Sequence, residues 1–369
     1  MAKEIKRGPS DEMFAATPPL EAKKCLFSLA MSQLARGGGE FTAKTQKLLF
    51  IDVSRAYFYA PARRPVFVKL PDEDDAPGMC GRLNVSMYGT RDAAANWEEC
   101  YAQHLIANGF IQGRSSPCVF HHPTRKIRCV VHGDDFTFLG CDDQLAFCTK
   151  MMQDRYEVKV RGKLGPEAKD DKTMTILNRC LEWKADGIHY EADPRHAEIL
   201  IRDLKLTAAK AVATPGIKLP VISDEENKFL PPDQATRFRQ LIARCNFISQ
   251  DRPDVQYAVK EIARGMANPR LQDWERLIRL GKYLAGKPRY VIVFGKQKDV
   301  HAIHSFGDSD FAGEIETRKS TSGGICSIGD HTVKSWSSTQ SIIALSTGEA
   351  ELYAINKNAA TALGPKPIE

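Results

Sequence analysis

The chain has 369 residues, of which 43% are hydrophobic and 27% charged, and its formal net charge is +6. This length allows two or three domains, and the mild basic bias suits a phosphate-rich partner without requiring one. No apolar run approaches the roughly 20 residues that span a bilayer, and no secretory signal is evident. We therefore expect an intracellular protein without a membrane partner, in either cytoplasm or nucleus. Ten scattered cysteines without a Cys-x-x-Cys pair favour a reduced compartment over disulfides or zinc.

The first predicted elements lead to a single acidic residue. Residues 1–19 are polar and contain several prolines, which predicts a loose N-terminal lead. Residues 20–35 carry apolar side chains at helical spacing, and residues 47–58 read as an apolar strand that reaches Asp52. Taken alone, that aspartate fits a helix N-cap or a turn as well as a functional site.

A Tyr-Gly turn at Tyr88 precedes a second helix. Thr90 is its predicted N-cap and Gly109 its predicted end, because a hydroxyl caps a helix start and glycine accepts the left-handed conformation that follows one. Trp97 and Tyr101 lie on the apolar stripe of this helix and are predicted to be buried.

Residues 128–139 form the central pattern of the chain, a strand, a two-carboxylate turn and a second strand. Gly133 permits a tight turn before Asp134 and Asp135, whose adjacent carboxylates repel each other unless a hard divalent cation neutralises them. An Asp-rich turn without metal has the same local appearance. Together with Asp52, however, the pair supplies the acids that two Mg²⁺ or Mn²⁺ ions about 4 Å apart need in order to activate a hydroxyl and stabilise pyrophosphate.

The following segment alternates helices and strands. Residues 142–156 predict a helix, 157–160 a strand, 173–190 a hairpin, and Pro194 stands at the start of a further helix. This alternation predicts an antiparallel sheet with helices on one face, an α+β fold. Residues 215–232 are rich in proline, glycine and charge and read as a linker.

Two groups of charged residues lie in the last third. A helix pattern over residues 271–284 carries basic side chains, for which a solvated face and a phosphate-binding face are equally compatible readings. These basic residues are Arg276, Arg279 and Lys282. Further on, Asp308 lies in a predicted strand and Glu351 on a predicted helix. Alone, these two acids read as a turn residue and a surface residue.

Several of these segments resemble one family of proteins. Residues 50–58 resemble motif A of reverse transcriptases, and residues 131–135 resemble their motif C. Residues 83–97 are similar to motif B of the Ty1/copia class, and residues 306–353 resemble the opening of its RNase H domain. The motifs occur in the family's order over nearly the whole chain. The chain therefore resembles the reverse transcriptase region, with the start of RNase H, of a Ty1/copia-class retrotransposon polyprotein.

The resemblance implies a division of the chain into domains. It implies an α+β reverse-transcriptase palm with partial fingers over residues 20–214, after the lead at 1–19. A linker at 215–232 would join this palm to a helical thumb or connection at 233–289, and residues 290–369 would form a partial RNase H-like α/β unit. Both ends of the family's region are expected to be cut short, with other polyprotein parts supplying the missing fingers.

The implied activity is RNA-directed DNA synthesis. Asp52, Asp134 and Asp135 would be catalytic and hold two Mg²⁺ (or Mn²⁺), while the partners would be an RNA template, a DNA primer and dNTPs. Tyr57, at the place where the family packs an aromatic ring under the nucleotide sugar, would exclude a 2′-hydroxyl. Further residues would bind phosphates, in the nucleotide (Arg55, Arg91) or in the template–primer (Arg276, Arg279, Lys282). Asp92 stands where the family commonly has glutamine.

The RNase H-like segment would hold metal at Asp308 and Glu351. The family uses a third carboxylate on a later strand, and no aspartate follows Glu351 in the sequence. We therefore expect no cleavage of RNA–DNA hybrids by this chain alone, and low order beyond about Asn356.

Two other functions compete with this hypothesis. One is a catalytically inactive, nucleic-acid-binding remnant of such an element. The other is an RNA-templated RNA polymerase, which the Gly133-Asp134-Asp135 triplet suggests. Tyr57 and the RNase H-like segment argue against the second.

Overall fold

The computed structural model describes residues 15–32, 45–74, 77–220, 222–298 and 302–364. Most of the predicted N-terminal lead lies outside these residues. The chain forms two compact units that divide between Lys172 and Thr173. The predicted domain boundaries stay predictions. Within the described residues, no helix has both the length and the apolar character that crossing a membrane requires.

The first unit is built on a six-stranded antiparallel sheet with the strand order β4-β5-β6-β7-β1-β8. A separate pair, β2 with β3, forms a small ribbon. The strands are β1 (Lys47–Val53), β2 (Phe67–Val68), β3 (Gly81–Arg82), β4 (Ile111–Gln112), β5 (Val119–His122), β6 (Ile127–His132), β7 (Asp135–Gly140) and β8 (Val158–Leu164). The predicted hairpin over residues 128–139 is confirmed as β6 and β7.

Within the described residues, three α-helices accompany this sheet: α1 (Leu20–Met31), α2 (Ala93–Ala107) and α3 (Asp142–Gln153). A short 3-10 helix, Ala56–Tyr59, follows β1, so the strand predicted over residues 47–58 ends at Val53. The core combines alternate residues of the central strands with one stripe of each of α2 and α3, as the two-residue and 3.6-residue periods require. Ile51, Phe136 and Phe138 from the strands pack with Trp97 of α2 and Met152 of α3. This core underlies the end of the sheet where Asp52 and the hairpin turn lie.

The start of α2 differs from the prediction. Asp92, and not Thr90, is the N-cap residue, and the Thr90 hydroxyl instead donates to the carbonyl of Met87 at 2.8 Å. The Thr90 prediction was wrong because the helix begins at Ala93, which places Thr90 two residues before the N-cap position. Gly109 follows the helix with a φ of 87°, which confirms it as the predicted end.

The second unit contains two antiparallel sheets, β12-β11-β10-β9 and β13-β14-β15. Its strands are β9 (Thr173–Ile176), β10 (Arg179–Trp183), β11 (Gly187–Ala192), β12 (Ile292–Gly295), β13 (Ile303–Ser309), β14 (Thr321–Ile328) and β15 (His331–Thr339). Its helices are α4 (Arg195–Asp203), α5 (Pro232–Ser249), α6 (Pro253–Ala263), α7 (Leu271–Gly286) and α8 (Thr347–Leu363). The core of α4 to α7 centres on Phe238, Val259 and Leu277.

These elements confirm the predicted α+β class, since helices and antiparallel sheets are mixed throughout. The predicted loss of order beyond Asn356 is wrong, because α8 continues to Leu363. Ala354 and Asn358 are buried on that helix, and the Ser305 hydroxyl of β13 donates to Asn358. Packing against the sheet therefore orders the later turns of α8.

Candidate functional site

Strand pairing gathers the three acids of the central pattern at one end of the first unit's sheet. In the register of β1 and β7, Asp52 lies directly opposite Asp135, which places their Cα atoms about 5 Å apart in an antiparallel pair. The backbone N–H of Val53 donates to the carbonyl of Asp134 at 3.0 Å. Asp134 therefore lies beside the end of β1 as well.

The hairpin turn that carries the acid pair is held by a buried tryptophan. His132 pairs with Asp135, so Gly133 and Asp134 are the two turn residues, and the φ of 65° at Gly133 fits a type II′ turn with glycine first. The indole Nε1–H of Trp97 donates to the carbonyl of Gly133 at 2.9 Å. The sequence marks Trp97 only as a core residue, because an apolar stripe does not reveal which polar group an indole reaches.

The negative and positive charges at this site shift the pKa of Asp52 in opposite directions. Burial raises the pKa of Asp52 above its ordinary value, and the negative charges of Asp134 and Asp135 raise it further. The positive charges of Arg161 and Lys159 act in the opposite direction. A divalent cation would relieve this repulsion, and carboxylate oxygens are the ligands that Mg²⁺ and Mn²⁺ prefer. The donor chemistry therefore fits such an ion.

The three acids, although close together, do not form a complete set of metal ligands as they are placed. Among the described residues, no three His, Cys, Asp or Glu side chains form a group that could hold a metal as they stand. At Asp135, Oδ1 lies 3.2 Å from Nη1 of Arg161, so a guanidinium contacts this carboxylate. Arg161 was not predicted as a site residue.

The negative charge of Asp134 acts on Tyr57, one of the predicted nucleotide-binding residues. Burial raises the pKa of Tyr57, and the charge of Asp134 raises it further. Its ring lies 4.4 Å, centroid to centroid, from the ring of Tyr88, and Asp134 also raises the pKa of Tyr88 after burial. The charge of Asp134 therefore acts on a pair of packed tyrosines, of which Tyr88 was not predicted as a site residue.

The predicted arginines have partners within the chain. Arg55 has a left-handed backbone with a φ of 56°, and its 68% exposed side chain pairs with Glu157 at 2.7 Å. Arg91 is half-buried and directly precedes Asp92. The nucleotide-binding role of both arginines stays a prediction.

Asp92, the departure from the family's glutamine, is neutralised inside the protein. It accepts hydrogen bonds from Arg64 at 2.9 Å and from Asn96 at 3.1 Å. Burial alone would raise the pKa of Asp92, but these hydrogen bonds hold it below its ordinary value. The acid is therefore part of the packing of α2 and does not present an unbalanced negative charge.

In the second unit, Asp308 and Glu351 come from neighbouring elements. The Oε1 atom of Glu351 on α8 accepts from the backbone N–H of Ser309, one residue after Asp308, at 3.3 Å. Asp308 also lines a groove of about 480 Å³ together with Tyr257 and Phe306. Their role as metal ligands stays a prediction.

The predicted phosphate-binding residues lie on α7. Arg276 contacts Asp273 at 3.2 Å, and Arg279 donates to the hydroxyl of Thr214 at 2.8 Å. Lys282 is half-buried. Two of the three cations are therefore engaged within the chain, and their contact with nucleic acid stays a prediction.

Comparisons with known proteins bear on these motifs. No protein-family model matches the chain. The chain is 28% identical over 316 residues, 83% of its length, to the Retrovirus-related Pol polyprotein from transposon RE2 of Arabidopsis thaliana. It is 24% identical over 93% of its length to the corresponding polyprotein from transposon TNT 1-94 of Nicotiana tabacum. It is also 24% identical over 84% of its length to the Transposon Ty1-GR3 Gag-Pol polyprotein of Saccharomyces cerevisiae.

The chain spans about a fifth of the length of these relatives, with 20%, 25% and 18% of each covered. All three are polyproteins of copia-type retrotransposons. The chain is thus related over most of its length to the Pol polyproteins of copia-type retrotransposons, which confirms the resemblance carried by its motifs.

Proposed function

We propose that this chain is the reverse transcriptase region of a copia-type Pol polyprotein, an RNA-directed DNA polymerase that works by two-metal nucleotidyl transfer. The observation that carries the proposal is the register of β1 and β7, which places Asp52 opposite Asp135 and beside the turn residue Asp134. Three acids from two separate motifs thereby meet at one sheet end. The names of the relatives, Pol polyproteins from transposons, are consistent with a reverse transcriptase region.

Asp52, Asp134 and Asp135 would hold the two ions. When bound, two Mg²⁺ or Mn²⁺ ions would activate the primer 3′-hydroxyl and stabilise the charge of the leaving pyrophosphate. The chain's own contribution is position: two acids come from paired strands, and Trp97 and Val53 hold the turn that carries the third. Sites built on strands keep their geometry better than sites on loops. Burial and the neighbouring acids disfavour the charged form of Asp52, and a bound cation would offset this cost.

Tyr57 is proposed to select the sugar of the incoming nucleotide. Its half-buried ring packs against Tyr88, and the charge of Asp134 raises the pKa of its hydroxyl. A ring fixed in this way beside the metal-binding acids can exclude a 2′-hydroxyl by contact alone. Arg55 and Arg91 are proposed to contact the nucleotide, for which Arg55 would exchange its exposed partner Glu157 for a phosphate.

The remaining elements are proposed to follow the family's plan. The six-stranded sheet would be the palm, α5 to α7 the thumb or connection, and β13 to β15 with α8 a partial RNase H-like unit with Asp308 and Glu351 as metal ligands. The RNA template and DNA primer would contact α7 through its basic side chains, where each neutralised phosphate adds salt-dependent affinity. These side chains are Arg276, Arg279 and Lys282. Other polyprotein parts would supply the fingers.

A second candidate is an inactive, nucleic-acid-binding remnant. The observation that supports it is the pairing of Arg161 with Asp135, because a guanidinium then contacts a carboxylate oxygen that a metal ion would need.

Primer extension separates the two candidates. The chain is incubated with an RNA template, a labelled DNA primer, dNTPs and Mg²⁺, and compared with Asp134→Asn. The proposal predicts extension by the parent and at least a hundredfold slower extension by Asp134→Asn, because the metal loses a ligand. Glu73→Gln, which removes an exposed acid from a loop, is the matched control and should extend normally. Template binding by the parent without any extension would favour the remnant.

A further inference from the structure

Strand β8 contains an irregularity next to the acidic end of β1. Phe50 of β1 pairs with Gly162, but the next residue, Ile51, pairs with Val160. Arg161 is therefore the extra residue of a β-bulge. Bulges re-aim a side chain and are frequent beside active sites. A regular strand would have kept the alternation of its side chains and would have directed residue 161 differently.

The bulge brings the Arg161 side chain to the acid pair. Its Nη1 lies 3.2 Å from Oδ1 of Asp135, and the two side chains are only 35% and 26% exposed. The other basic residue at this end is Lys159, which lies opposite Asp52 in the register of β1 and β8. Partial burial limits the screening of this ion pair by water and salt. The arginine thus uses a carboxylate oxygen that a metal would otherwise take.

We propose that Arg161 is a positioning residue that pairs with Asp135 and sets the affinity of the acidic site for divalent cations. The inference rests on the proposed function, since it assumes that the acids bind metal. A cation that enters must replace the guanidinium at Asp135 and overcome its positive charge. The pair therefore raises the metal concentration at which the site fills.

Manganese binding tests this proposal without depending on activity. Free Mn²⁺ is measured by electron paramagnetic resonance during titration of the full chain and its variants at low salt. Arg161→Gln should bind Mn²⁺ about tenfold more tightly than the parent, because a partly exposed unit charge no longer opposes the ion. Arg161→Lys keeps the charge and should bind like the parent. Lys126→Gln, the same loss of charge at the opposite end of the β6 strand, should also bind like the parent.

The outcomes separate this inference from the proposed function. Equal or weaker Mn²⁺ binding by Arg161→Gln, with parental thermal unfolding, would overturn the role of Arg161 alone. Arg161→Lys binding as tightly as Arg161→Gln would overturn it too, since charge would then be irrelevant. If neither the parent nor Arg161→Gln binds Mn²⁺ in a manner lost in Asp134→Asn, the metal site itself fails, and the proposed function with it.

Discussion

Strand β1 carries an acidic cluster at each end, and the two clusters differ in what neutralises them. At the start of the strand, Lys47 is 1% exposed and lies within 3.0 Å of carboxylate oxygens from Asp142, Glu167 and Asp170. At the other end, Asp52 lies beside Asp134 and Asp135, and Arg161, the cation that pairs with Asp135, is 35% exposed.

The pKa values of the aspartates at the two ends are shifted in opposite directions. Burial alone would raise the pKa of Asp170, but the hydrogen bond from Lys47 holds it below its ordinary value. At Asp52, burial and neighbouring acids together raise the pKa. The start of the strand therefore favours the charged form of its buried acid, whereas the other end disfavours the charged form of Asp52. This difference supports the proposal that the second end binds a cation.

The largest effect is expected from removing the buried lysine. Lys47→Met leaves Asp170, which is fully buried, with a weaker partner, and should lower the free energy of unfolding by about 3–5 kcal/mol. Urea unfolding at pH 7 measures this. Lys169→Met removes a 65% exposed cation from the same cluster and should change stability little. Similar losses in both variants would show that the Lys47 cluster is no more structural than a surface pair.

A smaller effect is expected at the turn of the acidic end. Trp97→Phe keeps a buried ring but removes the hydrogen bond to the Gly133 carbonyl, and should cost about 1–2 kcal/mol. Primer extension should fall as well, because the turn that carries Asp134 loses its anchor. Tyr101→Phe, on the same helix, is the matched control. Unchanged extension by Trp97→Phe would mean that the indole only fills the core.

The smallest expected effect is a gain in stability, whereas the two changes above lower it. Asp52→Asn removes a repelled charge and should raise the melting temperature at pH 7 by about 1–3 °C. The pKa of Asp52 is raised in the folded protein, so its ionised form destabilises the fold. This effect appears only at pH values above the ordinary pKa of an aspartate. The gain should therefore shrink as the pH falls and vanish below about pH 3, where the parent is protonated in both states. A melting temperature lowered at pH 7 would contradict the assignment of repulsion to this end.

The sequence predicts those parts of the site that depend on local signals. The hairpin of β6 and β7 follows from an apolar alternation around Gly133, and Asp52 follows from a strand that ends in an acid. The bulge at Arg161 was missed because no residue type marks a register shift between distant strands. The Lys47 cluster was missed because its hydrogen-bonded partners Asp142 and Asp170 lie 95 and 123 residues away. Charge pairs between residues far apart in the chain produce no periodic pattern in the sequence.

The most direct test of the contrast between the two ends is the position of bound metal. Crystals of the chain soaked in Mn²⁺ would be measured at a wavelength where manganese scatters anomalously. The account predicts an anomalous peak among Asp52, Asp134 and Asp135, and none at Asp142, Glu167 and Asp170, where Lys47 already supplies the charge. A peak at the Lys47 cluster, or an acidic turn that stays without manganese at saturating Mn²⁺, would contradict it.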